Sequence, residues 1–412
     1  MTKVELSLGL PSAEPEWPAA GLDIASLIAN GWQPLPFSEF VIKVHSRCNL
    51  ACDYCYMYEM ADQSWRGQPM TMSEEVFAAT CRTIGEHARR YSLPEIRMIF
   101  HGGEPLMAGH EKIEYYARHA HEALDSVSQV RLGMQTNGVL LDEEFLNTCD
   151  RWGIRVAVSI DGDREGHDRH RKYRRGTGSY DDVTTGLELL GSPAYRHLFS
   201  GLLCTIDVAN DPIATYEAMV RFHPPAVDFL LPHGNWTTPP PLKGSDPSGT
   251  QYADWLIAIF NRWYRAPMEE TQVRLFGDII ELLLGGTRSA ESIGLSPIAL
   301  AVFETDGTVE QIDELKSAFA GATKLELTRG GNPLDAALLE PAIVARQIGV
   351  EALGEVCRAC PIHQICGGGH YVHRYRAGTG FRNQSVYCSD LTKIIRHIES
   401  TIHTDMTAAL SR

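Results

Sequence analysis

From residue 39 onward, short β-branched or aromatic runs alternate with longer stretches whose apolar residues recur every three or four positions. The short runs lie at 39–45, 96–100, 129–135, 154–160, 200–206 and 226–231, and most are rich in Val, Ile, Leu or Phe, as buried parallel strands are. Helical spacing is expected at 73–90, 110–124, 142–152, 180–190, 211–222 and 250–265. Val76, Phe77, Thr80, Cys81 and Ile84 trace one apolar face, with Thr71 and Glu74 as a capping-box pair before it. Ile113, Tyr116, Ala117, Ala120 and Leu124 trace the next, and Phe145, Cys149 and Trp152 a third, stopped by Gly153 at C′. Six such units predict an α/β fold with a parallel sheet and right-handed crossovers. They fall two short of a closed eight-stranded barrel and so imply an open, partial (β/α)6 TIM-like barrel, its gap wide enough for a bulky, peptide-sized substrate.

Past residue 265 the rhythm breaks. A helix is expected at 272–284, and 301–313 reads as a hairpin around Asp306-Gly307. Four of the ten cysteines fall in the last 60 residues beside a Gly-rich turn, which marks a small second domain. The expected division is a cap segment at 1–35, the partial barrel at 36–265, a bridging region at 266–345 and the Cys-rich domain at 346–412.

Composition narrows the function classes. A hydrophobic content of 44% and a charged content of 22% are those of a globular protein. A net charge of −15 argues against a nucleic-acid partner. No apolar run is long enough to span a membrane, and the first residues lack a signal-peptide core, so a cytoplasmic location is expected. In that reducing compartment, clustered cysteines point to metal rather than disulfides.

Just past the first strand, Cys48, Cys52 and Cys55 stand at C-x3-C-x2-C spacing. Iron–sulfur clusters usually take four thiolates, and three with no fourth nearby leave one iron open, the mark of a reactive metal site. A zinc knuckle or three buried cysteines are the bland alternatives. Ligands of parallel α/β folds gather at strand C-terminal ends, where Gly102-Gly103-Glu104-Pro105, Ser159-Ile160-Asp161 and a basic loop containing Arg171 fall. Paired glycines let backbone approach a ligand closely, and a carboxylate there accepts hydrogen bonds from an ammonium.

This pattern resembles the radical S-adenosylmethionine (SAM) superfamily, with Tyr54 as the aromatic residue before the last Cys. The resemblance implies a [4Fe–4S] cluster on Cys48, Cys52 and Cys55 with SAM on its open iron. It implies SAM contacts from Tyr54, Gly102, Gly103 and Glu104, from Ser159 and Asp161 toward the ribose, and from Arg171 toward the carboxylate.

Cys357, Cys360, Cys366 and Cys388 form the second signal; alone, four such thiols suit zinc or an iron–sulfur cluster equally. Beside the first motif they resemble the SPASM domain of radical SAM peptide maturases, which carries two auxiliary clusters. Here Ile312 and His370 stand where that pattern has Cys, and no Cys lies between 204 and 357. One auxiliary [4Fe–4S] cluster is therefore expected, on Cys357, Cys360, Cys366 and Cys388. Asp313, one residue past the lost position, is the candidate general base. Cys81, Cys149 and Cys204 read as core residues.

Segments 44–48, 56–65 and 371–376 carry a closer resemblance to FxsB-type maturases, which include enzymes that form three-residue cyclophanes. The implied activity is abstraction of a Cβ hydrogen from a ribosomally made precursor peptide, followed by a ring-to-Cβ crosslink. The implied electron donor is of flavodoxin or ferredoxin type. Thioether formation and Ser or Cys oxidation are alternatives within the same chemistry; an electron carrier or zinc-ribbon module is the non-enzyme alternative. No stretch of roughly 80 residues is left for a leader-binding domain, so leader recognition is expected from the main fold or another protein.

Overall fold

A computed structural model describes residues 16–287, 291–327 and 331–411. The first 15 residues of the expected cap lie outside these. Six parallel strands follow in order: β1 (Glu39–His45), β2 (Glu95–Gly102), β3 (Gln129–Thr136), β4 (Arg155–Ser159), β5 (Phe199–Thr205) and β6 (Ala226–Leu230). Each lies within two residues of its expected range. The sheet extends at both ends, with β7 (Gln272–Val273) beside β6, β8 (Leu300–Phe303) parallel to β1, and β9 (Val309–Glu310) antiparallel to β8. Its nine strands run in the linear order β7-β6-β5-β4-β3-β2-β1-β8-β9, so the barrel stays open. The expected Asp306-Gly307 hairpin forms, but as an extension of the barrel sheet.

Strand period decides what each face does. Phe40 lies opposite Met98, which lies opposite Leu132, and this buried row packs under the helices. The other row holds Gly133 opposite Arg155, Ala157 opposite Gly201, and Leu203 opposite Asp228. The strands are therefore apolar on the helix side only. Small and polar residues on the inner side leave a cavity of about 1110 Å3.

The outer layer begins with α1 (Ile24–Ala29), then α2 (Glu74–Tyr91), α3 (His110–Leu124) and α4 (Glu143–Trp152). Phe77, Thr80, Cys81 and Ile84 of α2 are buried as the spacing requires. Its cap is Ser73, which accepts from Val76 N at 3.2 Å, and not Thr71. Thr71 instead bonds the His45 ring at 2.9 Å, because the helix starts two residues later than the Thr71–Glu74 pair suggests. Gly153 ends α4 in the left-handed conformation, as expected.

A helix absent from the sequence reading, Cys388–Leu410, closes the chain and packs across Gln251–Tyr264, with His397 bonded to Asn261 at 2.8 Å. A second apolar core joins Trp17 of the N-terminal segment to Ile312, Tyr371 and Phe381. No helix among the described residues is long and apolar enough to cross a membrane.

Candidate active site and four-thiol centre

Beyond β1 the chain turns into the loop of Cys48, Cys52 and Cys55, and all three thiols face the barrel cavity. Backbone bonds fix this loop. Ala51 N donates to Lys172 O at 2.7 Å, Gly103 N to His45 O at 2.8 Å, and Glu104 N to Arg47 O at 3.0 Å. Burial pushes the Cys48 and Cys55 thiols up to about 12, with neighbouring thiols adding to the rise at both. As thiolates, the three need the compensating charge of metal.

A single zinc about 2.3 Å from each thiolate would hold the sulfurs roughly 3.8 Å apart, whereas thiolates on separate irons of a cluster sit wider. Among the described residues, the group of three ligand atoms lying within 4.8 Å of one another is Glu304, Glu310 and Asp313, not any set of thiols. The wider thiol spacing fits a cluster at both cysteine sites.

The glycine pair at the end of β2 is required by space. A Cβ on Gly102 would lie 2.1 Å from His45 O, and one on Gly103 would lie 1.8 Å from the Tyr58 hydroxyl and 2.4 Å from Arg47 O. Gly103→Ala must therefore push the thiol loop off the strand end. It is expected to lower thermal stability by about 1–3 kcal/mol, the usual overpacking cost, and to reduce iron retained after reconstitution. Calorimetry and iron analysis against wild type check both.

Four of the site residues expected from the sequence meet at the cavity's upper edge. The Tyr54 hydroxyl donates to Asp161 Oδ2 and accepts from Arg171 Nη1 at 2.7 Å. Arg171 lies 4.0 Å from Asp161, whose carboxyl burial pushes up, while Asp161 Oδ1 accepts from Thr205 N at 3.0 Å. Ser159 faces the cavity and accepts from Gln135 Nε2 at 2.9 Å. Arg171 Nε is buried without a hydrogen-bond partner among the described residues. A cation with a free donor beside the thiol loop matches a ligand carrying a carboxylate.

Glu104 stands differently. It is fully buried behind the wall, accepting from Thr136 Oγ1 at 2.7 Å, Asn137 N at 2.7 Å and Leu106 N at 3.0 Å. It ties β2 to the end of β3, where Asn137 donates to Asn49 Oδ1 at 2.8 Å and to Cys48 Sγ at 3.7 Å. Asn137 was quoted from the sequence without a role; its contact with the sulfur emerges only from the fold. Trp236 is an anchor of the C-terminal region, donating to Gln384 O at 2.7 Å, with Arg376 over its ring.

Asp313 opens the turn Asp313–Ser317 on the cavity wall. Its Oδ1 lies 2.5 Å from Lys43 Nζ, which also donates to Glu304 at 2.7 Å; Lys316 donates to the same Glu304 oxygen at 3.0 Å. The two ammoniums fill the centre of the acidic group, so those three carboxylates form an ion-pair network rather than a metal site. Lys43 escaped the sequence reading, although a lysine inside a buried central strand is itself a signal. Glu314 beside it also faces the cavity, and burial pushes its carboxyl up to about 7.

At the two positions where Cys is replaced, Ile312 is packed in the second core and His370 is stacked near His233 and His373, with burial holding it neutral. Arg346 and Glu291 form a two-armed pair at 2.9 Å nearby. Cys357 and Cys360 follow from the turn Glu355–Arg358, Cys366 ends His363–Cys366, and Cys388 begins the C-terminal helix. Cys81, Cys149 and Cys204 lie in the apolar core, as expected.

A parallel open barrel with a three-thiol loop after its first strand is a radical SAM barrel, and residues 42–201 match the Radical SAM superfamily. Relatives extend the likeness over most of the chain. The serine-type anaerobic sulfatase-maturating enzyme of Bacteroides thetaiotaomicron is 24% identical over 390 residues, covering 88% of this chain and 89% of that protein. A cysteine-type enzyme of Clostridium perfringens is 25% identical over 354 residues, 81% of this chain and 88% of its own. Native anSMEcpe with bound AdoMet superposes with TM-score 0.71 at 21% identity, covering 89% of this chain and 99% of that one. Streptococcus suis SuiB bound to precursor peptide SuiA superposes with TM-score 0.55 at 13% identity, over 88% and 78%.

Proposed function

We propose that this protein is a radical SAM oxidoreductase that modifies a ribosomally made precursor peptide by removing a Cβ hydrogen and joining that carbon to an aromatic ring. The observation that carries the peptide-oxidation reading is the single cavity of about 1110 Å3 that holds Cys48, Cys52, Cys55, Ser159, Arg171 and Asp313 on its walls. When bound, a [4Fe–4S] cluster with SAM on the first three thiols supplies a 5′-deoxyadenosyl radical, and an auxiliary [4Fe–4S] cluster on Cys357, Cys360, Cys366 and Cys388 accepts an electron.

The chain's own residues do the rest. Arg171, Tyr54 and Asp161 orient the SAM carboxylate and ribose, with Ser159 at the same edge. Gly102 and Gly103 keep the approach open, and Glu104 braces that surface from behind. Lys43 holds one Asp313 oxygen, leaving the other to take a ring proton from the substrate. The barrel walls keep the radical from water. A flavodoxin- or ferredoxin-type protein in the cytoplasm supplies electrons.

The ring crosslink rests on the resemblance at 44–48, 56–65 and 371–376. A second reading, oxidation of a Ser or Cys side chain to an aldehyde, is favoured by the likeness to sulfatase-maturating enzymes over 88% of the chain. Both remove two hydrogens, so fragmentation of the product peptide decides: a ring–Cβ bond supports the first and an aldehyde the second. Metal content tests the cofactor assignment. Anaerobic reconstitution is expected to give about eight irons per chain as two four-iron clusters; about twelve, or zinc at the C-terminal site, would refute it.

A further inference from the structure

Cys366 leads directly into Gly367, Gly368 and Gly369, whose φ angles of 59°, 81° and 68° all lie in the left-handed region. This turn aims three consecutive carbonyls at one side chain. Arg374 Nη2 donates to Gly367 O at 2.6 Å and to Gly369 O at 2.6 Å, and Nε donates to Gly368 O at 3.1 Å and Gly369 O at 3.2 Å. A Cβ on Gly368 would stand 3.0 Å from the guanidinium carbon, so the close approach needs glycine.

Arg374 is 8% exposed, and among the described residues no carboxylate lies within 4.0 Å of it. The carboxylate nearest in influence, Glu291, is held by Arg346. A buried charge without an ionic partner is costly, and carbonyl dipoles offset only part of that cost. The remaining negative charge available is that of the thiols. Burial pushes Cys366 up to about 11 and raises Cys357, and the charge of Arg374 opposes the rise at both.

We propose that Arg374 is the electrostatic counterpart of the four-thiol centre: its buried charge favours the reduced form of the group held there and so raises that group's reduction potential. Charge beside an iron–sulfur centre is one of the terms that set its potential. The proposal rests on the reading of this centre as an electron-accepting cluster. In that reaction the substrate radical loses one proton, to Asp313, and one electron, to the centre; an electron-transfer protein of flavodoxin or ferredoxin type then removes the electron.

The test is an EPR-monitored redox titration of the anaerobically reconstituted full chain without substrate, as wild type, Arg374→Met and Arg374→Lys. At a fixed potential near the wild-type midpoint, R374M is expected to lower the reduced-to-oxidised ratio of the four-thiol cluster about tenfold, equivalent to 59 mV for one electron. R374K should stay within roughly threefold on the same scale, and the cluster on Cys48, Cys52 and Cys55 should not move in either variant. Loss of the cluster from R374M alone also supports the proposal, because charge rather than the fork of donors is then what the loaded centre requires. A wild-type potential in R374M overturns it, as does loss of the cluster from both variants while the first cluster's signal persists, which assigns Arg374 to holding the turn. Zinc in place of iron in the wild type defeats the underlying reading, and the proposal with it, before any variant is compared.

Discussion

Cys48→Ala abolishes SAM cleavage, while Cys366→Ala cleaves SAM and fails to release modified peptide. Cys48 is the most tightly embedded thiol of its loop: its Sγ accepts from Leu50 N at 3.4 Å and from Asn137 Nδ2 at 3.7 Å. With one of three thiolates gone, no neighbouring side chain can replace it, since the flanking polar group, Asn49, is already bonded to Asn137. The loss is expected to reach the uncatalysed background, on the order of 10⁶-fold or more for a typical enzyme. Cys366 lies in the other domain, at the end of the short helix His363–Cys366, and its loss leaves the barrel cavity intact. Deoxyadenosine quantified beside modified peptide separates the two variants. If both produce modified peptide at the wild-type rate, the assignment of either centre is wrong.

Asp313→Asn is expected to keep SAM binding and substrate-dependent deoxyadenosine formation while crosslinked product falls on the order of 10²-fold, the typical worth of a positioned base. Attack of a Cβ radical on an aromatic ring leaves a ring radical that must shed a proton to recover aromaticity. Asn keeps the shape of Asp but takes no proton at neutral pH. The fold should tolerate the change, because Lys43 keeps Glu304 at 2.7 Å. Residual product has a candidate source in Glu314, the adjacent cavity carboxyl that burial pushes up to about 7. Adding Glu314→Gln to Asp313→Asn should then remove the remainder. Wild-type crosslinking by Asp313→Asn alone would leave Asp313 with only its ion pair to Lys43.

The barrel was legible because its signals are local. Ile113, Tyr116, Ala117, Ala120 and Leu124 repeat within one helix, and each is buried where the period puts it. The Thr71 cap was misplaced for the same reason: two capping residues two apart compete, and only the packed helix start selects Ser73. The C-terminal helix was missed because Thr, His and Ser dilute its apolar spacing; packing against Phe260 and Asn261 makes it a helix face.

The site divides along the same line. Thiol spacing, the Gly102-Gly103 pair and the replaced positions Ile312 and His370 are short-range facts, and the sequence by itself determined them. It also named Tyr54, Asp161 and Arg171, although by resemblance; that they bond one another across 107 and 117 residues of chain is a property of strand order. Tertiary structure alone decided that Glu104 braces the wall, that Lys43 reaches Asp313 and Glu304, and that Arg374 sits unpaired beside the Cys366 turn. Spacing along a chain encodes which side chains share a face, because backbone geometry repeats over a few residues. Which two faces meet depends on topology, and a buried charge becomes readable only once its partners, or their absence, are in view.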